Sequence, residues 1–74
     1  MAEAEEIRAD VAAGVKAVRV AEGDRVSGGD ALVVLESMKT EIPVLTQAAG
    51  VVSRLVVRPG DAVQEGDLIA VVEG

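Results

Sequence analysis

Apolar residues along this 74-residue chain recur mostly at every second position or in short unbroken runs, a pattern of strands rather than helices. Gly14 to Val20 reads as a strand with Val18 and Val20 on one face. Gly50 to Val57 alternates more clearly, with Val51, Leu55 and Val57 directed one way and Arg54 and Arg58 the other. Ala31 to Ser37 and Leu68 to Glu73 are nearly continuous apolar runs, as expected of strands covered on both sides. Thr40 to Leu45 alternates again and places Ile42 and Val44 inward. Pro43 within it requires an edge or a bulge, because proline cannot donate to a ladder. Gly-Asp pairs at 23–24, 29–30, 60–61 and 66–67 mark turns, since glycine takes positive φ at little steric cost. The acidic, Ala-rich stretch Met1 to Glu6 is expected to fray before a strand that begins near Ile7.

The same order of signals occurs twice. Ala12-Ala13-Gly14-Val15 recurs as Ala48-Ala49-Gly50-Val51 and, after a one-residue shift, Gly23-Asp24-Arg25-Val26 matches Gly60-Asp61-Ala62-Val63. Gly29-Asp30 then matches Gly66-Asp67, and Val34-Leu35-Glu36 matches Val71-Val72-Glu73. Two copies are too few for a solenoid, so they read as halves of one domain related by a pseudo-two-fold axis. The expectation is a single all-β domain over residues 1–74, with seven or eight short strands in a flattened barrel or two packed sheets.

Composition narrows the chemistry. Half the residues are apolar, yet Phe, Trp and Tyr are absent, so the core is aliphatic. So small a core does not house a deep pocket with a catalytic apparatus. Without Cys or His the chain has no disulfide, no thiolate zinc site and no Cys nucleophile, and no metal is expected. It also lacks the side chain best suited to general-base work near neutral pH. The net charge is −6, with no basic face or aromatic stacking residues, which argues against nucleic acid as a partner. Apolar runs are too short and too interrupted for a signal peptide or membrane span. The expectation is a cytoplasmic protein, monomeric when isolated, that meets partners transiently.

One reversal breaks the turn rules. Between Glu36 and Thr40 the chain must turn back through Met38-Lys39, where a two-residue hairpin loop favours Asn-Gly, Asp-Gly or a leading Gly. Met and Lys carry a Cβ penalty in the conformation required, and a local choice at odds with the fold points to function. The reversal lies at mid-chain, where the first half hands over to the second, so Lys39 is expected at the tip farthest from both termini. Only two lysines, Lys16 and Lys39, stand beside five arginines. A lysine can be acylated once deprotonated, whereas arginine stays protonated. An exposed lysine is mostly protonated near neutrality, so acylation would need an activated donor and an enzyme. The plainer reading is a solubilising loop lysine, and turn chemistry alone leaves both open. Lys16 lies within a candidate strand and breaks no rule.

The motif Glu36-Ser37-Met38-Lys39-Thr40-Glu41-Ile42-Pro43 resembles the acceptor motif of the biotinyl/lipoyl attachment-domain family, in its biotin carboxyl carrier branch. The run Ala49-Gly50-Val51-Val52 and the later Pro59-Gly60-Asp61 and Glu65-Gly66-Asp67-Leu68 are similar to that family's second half. The likeness extends from about Ile7 to Glu73, and the length is similar to free-standing bacterial attachment proteins. The resemblance implies a flattened β-barrel of two four-stranded antiparallel sheets. It also implies that Lys39 carries covalent biotin, attached by a biotin protein ligase. Biotin would then move carboxylate from a biotin carboxylase to a carboxyltransferase, of the acyl-CoA carboxylase type, making this chain a non-catalytic carrier. Met38 would help mark the lysine, with a turn residue packed on the barrel end as the plainer reading. Glu36 would contact the ligase, and Glu41 reads better as solvated charge. Three features depart from the family: Thr40 replaces the usual second Met, no thumb-like insertion interrupts Val20 to Val26, and Ala12-Ala13 replaces the usual Pro.

Other readings remain at this point. A lipoyl carrier would share the fold, although Met38 differs from the common Asp-Lys-Ala pattern. An unmodified interaction module could use the same barrel. An independent enzyme built on Asp24, Asp30, Asp61 and Asp67 is the weakest, because each acid follows a turn glycine.

Overall fold

The computed structural model describes residues 4–74. Eight strands follow in order: β1 (Ala4–Arg8), β2 (Ala13–Val18), β3 (Arg25–Val26), β4 (Ala31–Ser37), β5 (Thr40–Leu45), β6 (Gly50–Leu55), β7 (Ala62–Val63) and β8 (Leu68–Glu73). They form two antiparallel four-stranded sheets, ordered β1-β8-β6-β3 and β5-β4-β2-β7. Aliphatic side chains fill the space between them. Leu32, Val33, Leu35, Val52, Ile69 and Val72 are buried at its centre, and the strands that read as continuous apolar runs, β4 and β8, supply most of these. Pro43 sits on the edge strand β5, as its missing N–H requires.

The two sheets are exchanged by the pseudo-two-fold, under which each element maps onto one 37 residues later (Val15 onto Val52, Asp24 onto Asp61). The Val15 N–H donates to Asp61 O at 2.7 Å, and its counterpart Val52 N–H donates to Asp24 O at 2.9 Å. The offset is uniform. The Ala-Ala-Gly-Val match and its one-residue shift are therefore not structural: β2 begins at Ala13 and β6 at Gly50, so Gly14 corresponds to Val51.

Two further expectations are corrected. Val52, not Val51, is buried in β6, together with Val57 beyond the strand end. A register shift between Val52 and Arg54 absorbs Ser53 as a bulge and reverses the inward parity, and the same shift in β2 absorbs Lys16. Second, the chain is ordered in a strand from Ala4 and not only from Ile7: Ala4, Glu5 and Glu6 pair with Glu73, Val72 and Val71. Glu5 explains this. Its carboxylate accepts the N–H groups of Ala48 (3.0 Å) and Gln47 (3.3 Å) and faces the Thr46 hydroxyl (3.1 Å). Met1 to Glu3, the rest of the stretch expected to fray, lie outside the described residues.

That contact also places the ends of the molecule. Glu5 touches the loop after Leu45, at the end of β5 remote from the β4–β5 hairpin. The paired terminal strands thus lie at one end of a body measuring 40 × 19 × 18 Å, and the hairpin at the other. Between Val20 and Val26 the chain makes a tight turn with no protruding thumb, closed by Asp24 N–H to Ala21 O at 3.0 Å.

Candidate functional site

The β4–β5 ladder carries the site to its tip. Pairing runs without interruption from Val33 opposite Val44 to Ser37 opposite Thr40, leaving two residues, Met38 and Lys39, to reverse the chain. Both have positive φ, 50° and 69°, as a primed hairpin turn demands. They are the two non-glycine residues in this conformation among the described residues. The left-handed region costs a side-chain-bearing residue roughly 1–2 kcal/mol. The well-paired ladder beneath imposes this conformation on the turn.

Met38 is 94% exposed. The side chain is therefore not packed on the barrel end, as the plainer reading of it required. Lys39 and Thr40 are exposed beside it. The structure thus brings Met38, Lys39 and Thr40 together as a projecting apolar-cationic-hydroxyl tip, with Glu36 and Glu41 one rung below.

Those two glutamates face each other directly across the ladder. Like charges in that register repel. Lys16 lies between them: its ammonium hydrogen-bonds Glu41 and sits 3.8 Å from Glu36 Oε2. The contact holds the Lys16 amine above its ordinary value, chiefly through the Glu41 hydrogen bond. It holds the Glu41 carboxyl below its own, chiefly through the same bond. Glu41 is therefore a paired charge rather than a merely solvated one. Among the described residues the ion pairs of this face engage Lys16 and not Lys39.

Sequence reasoning missed Lys16. Its signal was present: Val15 lies at an odd position and the inward Val18 and Val20 at even ones, a change of parity that only an extra residue between them can produce. The four turn aspartates, by contrast, are engaged with the backbone. Asp24, for example, accepts the Ala21 N–H at 2.9 Å, and Asp61 accepts the Arg58 N–H at 2.9 Å. A groove of about 340 Å³ opens between β1 and β5, lined in part by Glu6, Val11, Leu35 and Leu45. It contains neither lysine and is separate from the hairpin tip.

A family model described as biotin-requiring enzyme (Biotin_lipoyl) matches residues 5–72. The chain belongs to the biotin/lipoyl attachment family. It is 56% identical over 69 residues to the biotinylated protein TB7.3 homolog of Mycobacterium leprae, covering 93% of this chain and 97% of that one. Its fold is similar to part of the Kluyveromyces lactis urea carboxylase, with a TM-score of 0.88 and 34% identity over 95% of this chain and 6% of that chain. It is also similar to part of a single-chain, multi-domain long-chain acyl-CoA carboxylase, with a TM-score of 0.85 and 35% identity over 92% and 7% of the two chains. A biotin/lipoyl attachment domain is a carrier module rather than a catalyst. The two four-stranded sheets of this chain are the architecture of that family.

Proposed function

We propose that this chain is a biotin carboxyl carrier in which Lys39 is the attachment residue. The observation that carries the reading is the hairpin tip, where a free primary amine sits in a left-handed turn at the end of a rigid ladder, remote from the chain ends. The donor set fits the cofactor: attachment needs an accessible amine and no pocket, and Lys39 is exposed while Lys16 is held by carboxylates. A biotin protein ligase would join the Lys39 Nζ to an activated biotinyl group. The ammonium first gives one proton to solvent, and the neutral amine attacks the acyl carbon. As the amide forms, the activating group leaves with its bonding electron pair while the second proton passes to solvent. Met38, projecting beside the lysine, and Glu36 are the residues proposed for the ligase to read, with Thr40 flanking.

When attached, biotin supplies a ureido ring that takes up carboxylate at one active site and releases it at another. The protein contributes tethering, which raises the local concentration of the arm at each partner. Similarity to domains of urea and acyl-CoA carboxylases supports a biotin carboxylase and a carboxyltransferase as those partners. The biotinylated relative supports biotin over lipoate.

The test is co-expression with a biotin protein ligase and excess biotin, followed by intact mass and a peptide map. Mass is the proper readout, because a chain without Trp or Tyr is nearly invisible at 280 nm. One biotinyl group on Lys39, absent from Lys39→Arg, is expected. No adduct on a folded protein with an active ligase would overturn the reading, and an adduct with lipoyl ligase instead would replace biotin by lipoate.

A further inference from the structure

Lys16 is the one residue that the repeat inserts on the outer face of β2 beside the two glutamates. Its symmetry counterpart, Ser53, occupies the same bulge in β6 and donates to Val71 O at 3.3 Å instead. Pairing on both sides of the bulge skips Lys16, with Val15 opposite Leu35 and Ala17 opposite Val34. The bulge places its ammonium at the Glu36–Glu41 rung. All three side chains are about half exposed, so the contact does little for stability. Its consequence is local. Without Lys16 the rung would present two adjacent carboxylates one step below the turn, and Lys39 follows Glu36 by three residues and precedes Glu41 by two. A lysine stem of four methylenes has the freedom to fold back onto such a pair. Arg19, just past the end of β2, acts on Glu41 more weakly than Lys16 does.

We propose that Lys16 is a positioning residue that keeps the Lys39 amine free for acylation, by occupying the Glu36 and Glu41 carboxylates that would otherwise draw Lys39 back onto the hairpin. This rests on Lys39 being the acylated residue, but it is testable without a ligase.

The probe is acetic anhydride at trace levels. The Lys39 nitrogen forms an amide with one acetyl carbon, acetate leaves, and the proton goes to buffer. Acetylation of the Lys39 peptide is measured by mass at fixed pH in the full chain and in K16A, K16R and K16A/E36Q/E41Q, with circular dichroism confirming the fold of each. In K16A at about 10 mM salt the Lys39 rate is expected to fall about two- to fivefold, the effect of one exposed ion pair. K16R should match the wild type, since it keeps the charge, and the triple variant should recover because nothing is left to capture Lys39. At about 1 M salt the deficit should close by screening. An unchanged Lys39 rate in folded K16A overturns the proposal, as does a deficit that persists in high salt or in the triple variant. Chemical rates that follow this pattern while an active ligase leaves the wild type unbiotinylated would instead count against the proposed function alone.

Discussion

Among the described residues five turns enter the left-handed region, and they do so in two chemically different ways. At the four Gly-Asp turns the glycine has φ between 91° and 96° and no Cβ to strain. The following aspartate closes the turn, its carboxylate accepting a backbone N–H three residues back, as Asp30 does from Ser27 at 2.8 Å. At the hairpin, Met38 and Lys39 take the same backbone region with full side chains and no capping carboxylate. The first kind of turn uses its residues inward, to fix register. The second accepts conformational cost and presents its side chains outward. The glycine turns serve the register of the fold, and the hairpin is the turn proposed to carry the chemistry.

The largest predicted contrast is at Lys39. Lys39→Arg should abolish biotin attachment in the co-expression assay while changing unfolding free energy by less than about 0.5 kcal/mol, as for other exposed substitutions. A large loss of stability in this variant would mean that the hairpin lysine is structural after all. Gly60→Val should show the opposite profile. It costs about 2 kcal/mol in urea unfolding, because φ of 96° is strained for a branched side chain, while the folded protein still accepts biotin. Equal attachment defects in the two variants would erase the distinction between the turns.

A smaller effect is expected from Met38→Gly. Relief of the left-handed strain, offset by the greater freedom of glycine in the unfolded chain, should leave a gain of up to about 1 kcal/mol. Biotinylation should slow nonetheless, since the exposed thioether is lost. Faster or unchanged biotinylation would remove Met38 from the proposed recognition surface.

The smallest effect is the pH dependence of the Lys16–Glu41 contact. Glu41 is held below its ordinary value, so its contribution is in place above the unfolded value and disappears as pH falls through the folded one. Lys16 is held above its ordinary value, so its contribution is in place below the unfolded value and disappears as pH rises through the folded one. The difference in urea midpoint between wild type and Glu41→Gln, followed by circular dichroism, should be level through neutral pH and shrink at both the acid and alkaline limits. A difference that survives in acid would assign Glu41 a packing role instead.

Much of this molecule was legible from neighbouring residues alone. The strands β4, β5 and β8 coincide with the bounds read from apolar runs and alternation, and all four Gly-Asp turns lie where glycine demanded them. The Met-Lys reversal stood out because turn chemistry is a matter of four consecutive residues. That reversal, its place at mid-chain and the scarcity of lysine singled out Lys39, and the resemblance of its motif to the family implied the acceptor role.

Other features depended on partners far away in sequence. The inward faces of β2 and β6 could not be read from alternation, because each strand carries an extra residue whose accommodation is set by the register of its neighbour. Glu5 holds β1 in place through backbone groups of residues 47 and 48, so nothing in the first residues themselves announces a strand there. Lys16 meets Glu36 and Glu41 only after β2, β4 and β5 have assembled into one sheet. Local steric preference therefore determined by itself where the chain bends and which lysine it displays. Tertiary structure decided which side of each strand is buried and which charges stand around that lysine, because both depend on how separate strands align.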